Sequence, residues 1–251
     1  MQRARFMLVI AVLAFVAAPA IAQTDAPALS PLQTAVACAA PMSVDESKAK
    51  ALHVIGTQDT TARRLFGLRD LLVVDGGTNG GLQLGQEFFV RRTNRFGSPL
   101  DRRWQGVRTL GWIRIVAVNA TTAIASVDHI CDGMMEGDFL EPFAAPVIPA
   151  GAESDVSVGE PDFGALGRVL AASEDRNTAG AGDFIVIDRG TDQGVVPGAR
   201  FAVYRDVGAN GLPLSAVGEG VVITAGKTMA LTRVTRSRDA VIAGDYVAQR
   251  K

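Results

Sequence analysis

The stretch DGGTNGGLQLGQEF at 75–88 returns as DRGTDQGVVPGARF at 188–201, and nothing else in this chain constrains its fold as strongly. The likeness runs without a gap from Asp70–Arg92 to Asp183–Arg205, at an offset of 113. Asp70, Val73, Asp75, Gly77, Thr78, Gly81, Gly85, Phe88, Val90 and Arg92 each meet an identical residue. A second block, Gly111–Leu140, aligns on Gly218–Val247 at an offset of 107, with Gly111, Thr121, Ala123, Val127, Asp132, Gly137 and Asp138 recurring. The offset changes between the blocks, so the first copy carries the longer connection there. Self-similarity at a fixed period is the mark of one structural unit used more than once.

The unit reads as strands. DLLVVD and DFIVID are short apolar runs bounded by turn residues, as buried strands are. QEFFVRR and ARFAVYR alternate, with Phe88 and Val90, or Phe201 and Val203, on one face. GWIRIVAVN with TTAIASVDHI forms a hairpin pattern turning near Asn119-Ala120, and VGEGVVITAG with KTMALTRVTRS repeats it with a turn at Gly226-Lys227. No segment within either copy carries a helical period. The expected fold is all-β: two tandem small β-barrel-like modules, at 52–143 and 164–251, joined by a Pro/Ala/Gly-rich linker at 144–163. Residues 23–51 read as an irregular tail with a helical turn near Asp45–Leu52.

The glycine-rich phrase looks at first like a phosphate cradle. Such a cradle feeds a helix N-terminus and ends in G-K-[ST], whereas this segment leaves one strand and enters another. Its glycines fit turn positions that need positive φ, with the apolar residue after Gly81 and Gly194 plugging the core. RGTDQGVVPGARFAVYR followed by VGEGVVITAGKTMALTRVTRSRDAVIAGDYV resembles a small β-barrel repeat of exported bacterial proteins. The related modules are the C-terminal domain of flagellar assembly protein T and similar modules in LysM-bearing envelope proteins. The resemblance rests on G-x₃-G-x₃-G-x₂-F-x-V and a closing G-D-[YF], covers both copies, and implies a fold with no catalytic residues. This chain has no LysM module and has a second copy of the unit.

The N-terminus carries the anatomy of a cleaved secretory signal peptide at 1–22: Arg3 and Arg5, an apolar run from Phe6 to Ala18, and Ala20-Ile21-Ala22 as a small-x-small cleavage site. Pro19 ends the run short of the roughly 20 residues a membrane span needs, and no transmembrane segment is expected after cleavage. Losing Arg3 and Arg5 would leave 23 basic against 26 acidic residues. That balance gives no electrostatic case for nucleic acid or a membrane surface. The expected location is the periplasm or the outer envelope. Cys38 and Cys131, the only cysteines, favour a disulfide in an oxidising compartment, against two thiols or an intermolecular bridge. By chain entropy such a bridge would stabilise by up to about 4–5 kcal/mol, pinning the tail to the first module.

Candidates for chemistry are few. His129 stands two residues before Cys131, but one histidine and two cysteines without C-x₂-C spacing make a poor zinc set, and His129 reads as a half-exposed strand residue. Ser126 and Ser154 lack the setting of a nucleophile. Asp75, Asn79, Asp188 and Asp192 read as turn caps rather than calcium ligands. No cofactor, metal or catalytic set is expected. The asymmetric feature is the long connection of copy one, RRTNRFGSPLDRRWQGVR, where Arg91, Arg92, Arg95, Arg102, Arg103 and Arg108 face only Asp101, with Phe96 and Trp104 interleaved. Arginines among aromatic rings suit anionic groups, sugars and protein hot spots, so Arg92, Arg95, Phe96, Arg102, Arg103, Trp104 and Arg108 form the expected binding set. The expected function is a non-enzymatic envelope or periplasmic structural or protein-interaction module. The alternative is a binder of an anionic or glycan polymer such as peptidoglycan through that loop. The exported protein is expected to begin at Gln23, which N-terminal sequencing or intact mass checks; a secreted form that keeps residues 1–22 would overturn this.

Overall fold

A computed structural model of the chain describes residues 29–39, 42–43, 52–59, 63–98, 101–173, 176–208 and 213–251, and only the backbone at 42–43, 96–98 and 101–105. The expected signal peptide and, but for Leu52, the expected helical turn at 45–52 lie outside the described residues. The fold is all-β, with one short α-helix among the described residues, α1 (Pro31–Cys38), followed by the two-residue strand β1 (Met42–Ser43).

The first sheet holds β2 (Val54–Thr57), β3 (Leu71–Val74), β4 (Glu87–Ser98), β5 (Asp101–Val118), β6 (Ala123–Ile130) and β7 (Phe139–Pro142). Its order is β2-β3-β6-β5-β4-β7, with β1 added on β5. The second group is β8 (Gly167–Ala172), β10 (Phe184–Ile187), β11 (Arg200–Arg205), β12 (Ser215–Ala225), β13 (Ala230–Ser237) and β15 (Tyr246–Gln249), beside a small pair formed by β9 (Thr178–Ala179) and β14 (Val241–Ile242). These six close into a barrel in the order β10-β13-β12-β11-β15-β8, which is the first sheet's order strand for strand. In the first module the seam between β2 and β7 carries one bridge, His53 to Phe139. Each module has its own core. Val54, Leu72, Val74, Ile113, Ile115 and Leu140 fill the first, and Ile185, Ile187, Phe201, Val203, Val222 and Val247 the second.

The glycine phrase is a structural turn in both modules. A Cβ on Gly77 would lie 2.3 Å from the carbonyl oxygen of Asn119, and one on Gly190 2.3 Å from that of Gly226. That approach lets Thr78 and Asn79 donate their N–H groups to Asn119 and Ala120, and Thr191 and Asp192 to Gly226 and Lys227. The nitrogens that would cradle a phosphate are therefore spent on the neighbouring hairpin. Leu82 and Val195, each one residue past a glycine with positive φ, are buried in the cores. Asp75 and Asp188 cap across to the neighbouring strand rather than within their own turns, accepting from the backbone N–H of His53 and Arg168.

The first module's long connection is not a loop. It continues β4 and β5 as a two-stranded ladder, from Arg91 opposite Thr109 to Ser98 opposite Asp101. Arg92 faces inward: its Nε and a terminal nitrogen donate to the two Asp138 oxygens at 2.7 and 2.8 Å, and it also donates to the Gly133 carbonyl. Arg205 makes the same fork to Asp245, at 2.8 and 2.8 Å, and donates to the Ala240 carbonyl. Both aspartates are buried and each also accepts a backbone N–H, from Met135 or Ile242.

A disulfide joins Cys38 to Cys131 with the Cα atoms 5.4 Å apart, linking α1 to the first module just past the end of β6. The helix starts with a capping box, Ser30 and Gln33 bonding reciprocally ahead of Pro31, an S-x-x-Q signature. Its apolar face, Leu32, Val36 and the adjoining Ala39, packs on the outside of the second barrel against Leu170, Phe184, Val186, Ile223, Met229 and Leu231. So the tail bridges the modules instead of only lying on the first. Residues 146–163 also lie along the second barrel, because Arg200 and Arg233 donate to the carbonyls of Gly151, Ala152 and Ser154, and Ala152 is buried.

Arg92→Ala would leave a buried carboxylate without its cation, and is expected to destabilise the first module by about 3–5 kcal/mol. Arg205→Ala should do the same to the second. Arg95→Ala, exposed on the same strand as Arg92, should stay within about 0.5 kcal/mol. Denaturant unfolding checks this; equal effects at Arg92 and Arg95 would overturn it.

Candidate functional site

The expected binding set divides once its surroundings are known. Arg92 is committed to Asp138, and Arg108 pairs with Asp132 at 3.3 Å. Arg91, which supplied part of the local positive charge, pairs with Glu141 at 3.2 Å, bonds the Thr109 hydroxyl and lies over the Phe89 ring. Burial pushes its guanidinium below the ordinary arginine value, and Glu141 offsets part of that. Three of the six arginines thus meet acids that lie outside the connection. Arg95 is exposed. The side chains of Phe96, Arg102, Arg103 and Trp104 lie outside the described residues.

The structure instead assembles a groove on β5, β6 and the segments beside them. Its rings stand on the outer face of the first module. Trp112 on β5 and His129 on β6 are cross-strand partners, and their rings stack 4.1 Å apart at 12°. Phe89 meets Trp112 edge-on at 6.2 Å, and Phe143 lies 4.6 Å from Phe89 and 5.7 Å from Trp112. The cavity beside them is about 560 Å³, walled on one side by Leu29 and Thr34 at the start of α1, within the range of small-ligand sites. At its rim Arg114 is held by Glu87 at 3.2 Å and Asp128 at 2.9 Å.

Arg69 completes the wall. It is the only non-glycine residue with positive φ among the described residues, at 67°. Its N–H donates to the Val127 carbonyl at 3.0 Å. In the second module the same place, 113 residues on, is Gly182, with φ 94° and its N–H on Val234 at 2.8 Å. Holding an arginine there costs on the order of 1–2 kcal/mol relative to glycine. The guanidinium makes no ion pair among the described residues.

The second module fills the equivalent face differently. At an offset of 107, Trp112, His129 and Phe143 become Glu219, Arg236 and Arg250. Glu219 binds Arg236 at 2.9 Å and Arg250 at 2.8 Å and accepts from the Ser157 hydroxyl. Burial raises its carboxyl, but Ser157 and the two arginines together hold it below the usual range. That face is closed by its own ions and by residue 157, whereas the aromatic face of the first module borders a cavity.

Two other clusters have chemical potential. Ligand atoms of Cys38, Cys131 and His129 lie within 4.8 Å of one another, but the sulfurs are bonded together and offer no thiolate. His53 Nδ1 lies 3.2 Å from Asp75 Oδ2, a base beside an orienting carboxylate; no hydroxyl or thiol bonds that imidazole among the described residues.

Burial holds His129 below its ordinary pKa of 6.5. The unfolded chain therefore takes up the proton first, so this contribution to stability is complete above pH 6.5 and is lost as pH falls through the lower folded-state value. With Trp104→Phe leaving Trp112 as the sole indole, acidification should change its fluorescence with a midpoint below 6.5, and His129→Gln should abolish that transition. A midpoint at or above 6.5 would overturn the assignment. In comparisons with known proteins, no family model and no curated protein matches this chain.

Proposed function

We propose that this chain is an exported, non-enzymatic envelope or periplasmic protein that acts as a structural and protein-docking body. The observation that carries the reading is the tethered helix. One short segment is bonded covalently to the first module and buries its apolar face on the second, which suits a body that presents two β-modules in a fixed relation. The disulfide favours an oxidising compartment. No helix among the described residues is long and apolar enough to cross a membrane.

The extended β4–β5 ladder is the natural docking arm. Past Arg92, β4 pairs with β5 on one side and with no strand on the other among the described residues, and an unpaired edge is a template for another chain. In the second module, β11 stops at Arg205, so the arm belongs to the first copy alone. Arg95, Arg102 and Arg103 add positive charge to the arm for an acidic partner. A second reading, a binder of an anionic or glycan polymer such as peptidoglycan, is favoured by the aromatic groove rather than by the arm.

Replacing residues 93–106 with a short turn separates these readings. The variant should keep a cooperative thermal unfolding transition and lose cross-linked partners in envelope extracts. Capture that survives the shortening would overturn the arm's role. Salt-sensitive sedimentation with purified cell-wall sacculi, unchanged by the shortening, would favour the polymer reading through the groove.

A further inference from the structure

Apart from the extended β4–β5 arm, several departures of the first module from the second converge on one face. Trp112, His129 and Phe143 replace an ion cluster, and Arg69 replaces a glycine in a left-handed backbone position. All four line the same cavity. Packing alone does not call for them, since the second module closes on the same strand order with glutamate, arginine and glycine at these positions.

We infer that this groove binds a sugar unit bearing a carboxylate, with the sugar ring against Trp112 and Phe143 and the carboxylate on Arg69. The inference rests on the polymer reading given above. The half-exposed rings of Trp112 and Phe143 suit the apolar C–H face of a pyranose. Glu87 and Asp128 at the rim accept hydrogen bonds from hydroxyls, and Thr34 and Ser126 supply hydroxyls of their own. Arg114 is already neutralised by the two carboxylates, so Arg69 supplies the positive charge for an anion. With Arg69 and Arg114 set against Glu87 and Asp128, the lining carries no net positive charge, which suits a singly charged carboxylate better than a phosphate. A peptide strand is disfavoured at Trp112, because β5 there is paired with β4 on one side and β6 on the other and offers no backbone edge.

The probe is a disaccharide of N-acetylglucosamine and N-acetylmuramic acid, compared with its methyl ester. Binding is read from Trp112 fluorescence in the mature protein carrying Trp104→Phe. The free acid should bind saturably, and Arg69→Gly should weaken it at least tenfold while leaving the thermal midpoint equal or higher, because glycine relieves the backbone. Methyl esterification should weaken binding to the wild type to a similar degree and make no difference to Arg69→Gly. Phe143→Ala should weaken both ligands. Binding of the acid unchanged by Arg69→Gly, or an ester bound as tightly as the acid, would overturn the inference. Sacculi that sediment wild type and Arg69→Gly alike would remove the groove while leaving the polymer reading standing. A wild type that neither responds to the disaccharide nor sediments would overturn both.

Discussion

Each module depends on an aspartate at its seam. Asp138 uses its carboxylate to hold Arg92 of β4 and the turn at Met135, while its carbonyl accepts the N–H of Val54 on β2 at 2.9 Å. Asp245 repeats every bond, with Arg205, Ile242 and Val169 as partners, the last at 2.8 Å. One residue thus ties the two edges of a curled sheet through its backbone and locks the adjoining turn through its side chain. Sheets this short cannot bury a core unless the edges meet. A carboxylate without its fork would be an uncompensated charge in the wall. That both copies keep the arginine and the aspartate, 113 and 107 residues apart, follows from this joint duty.

With closure provided, the outer faces were at liberty to diverge. The second barrel is apolar on part of its outside: in β10, Ile185 and Ile187 point into the core while Phe184 and Val186 point outward, and all four are buried. Such a face needs a cover. The cover is α1, held in place from the opposite module by the disulfide. The outer face of the first module instead gathers rings around Trp112, and Arg69 stands strained at its rim. Among the described residues the Arg69 guanidinium makes no ion pair, and its backbone keeps the left-handed conformation that the second module gives to a glycine.

Much of the architecture was legible in the sequence because turns are local. A close approach admitting only glycine, or a left-handed turn, is specified by the residue itself, so Gly77, Gly81, Gly190 and Gly194 announced the loop in both copies. Period-two runs such as QEFFVRR announced their strands in the same way. Two cysteines, the only pair in the chain, announced their bond. The capping box at Ser30–Gln33 is a local signal of the same kind, set in the tail ahead of the first copy.

Where partners come from distant segments, the chain alone was mute. Counting charge along 91–108 suggests an arginine-rich loop, but Glu141, Asp138 and Asp132 lie beyond it and reach Arg91, Arg92 and Arg108 only because β7 and the turn after β6 fold back beside β4 and β5. Trp112, His129, Phe143 and Arg69 span more than 70 residues, and each looks unremarkable in its own strand or turn. The sequence by itself determined the repeated strands, the turns and the cysteine pair, since these rest on backbone conformation and residue type. Tertiary structure decided which arginines are neutralised, where the helix lies and which rings share a groove, since electrostatic and packing energies depend on distances that only the closed sheets create.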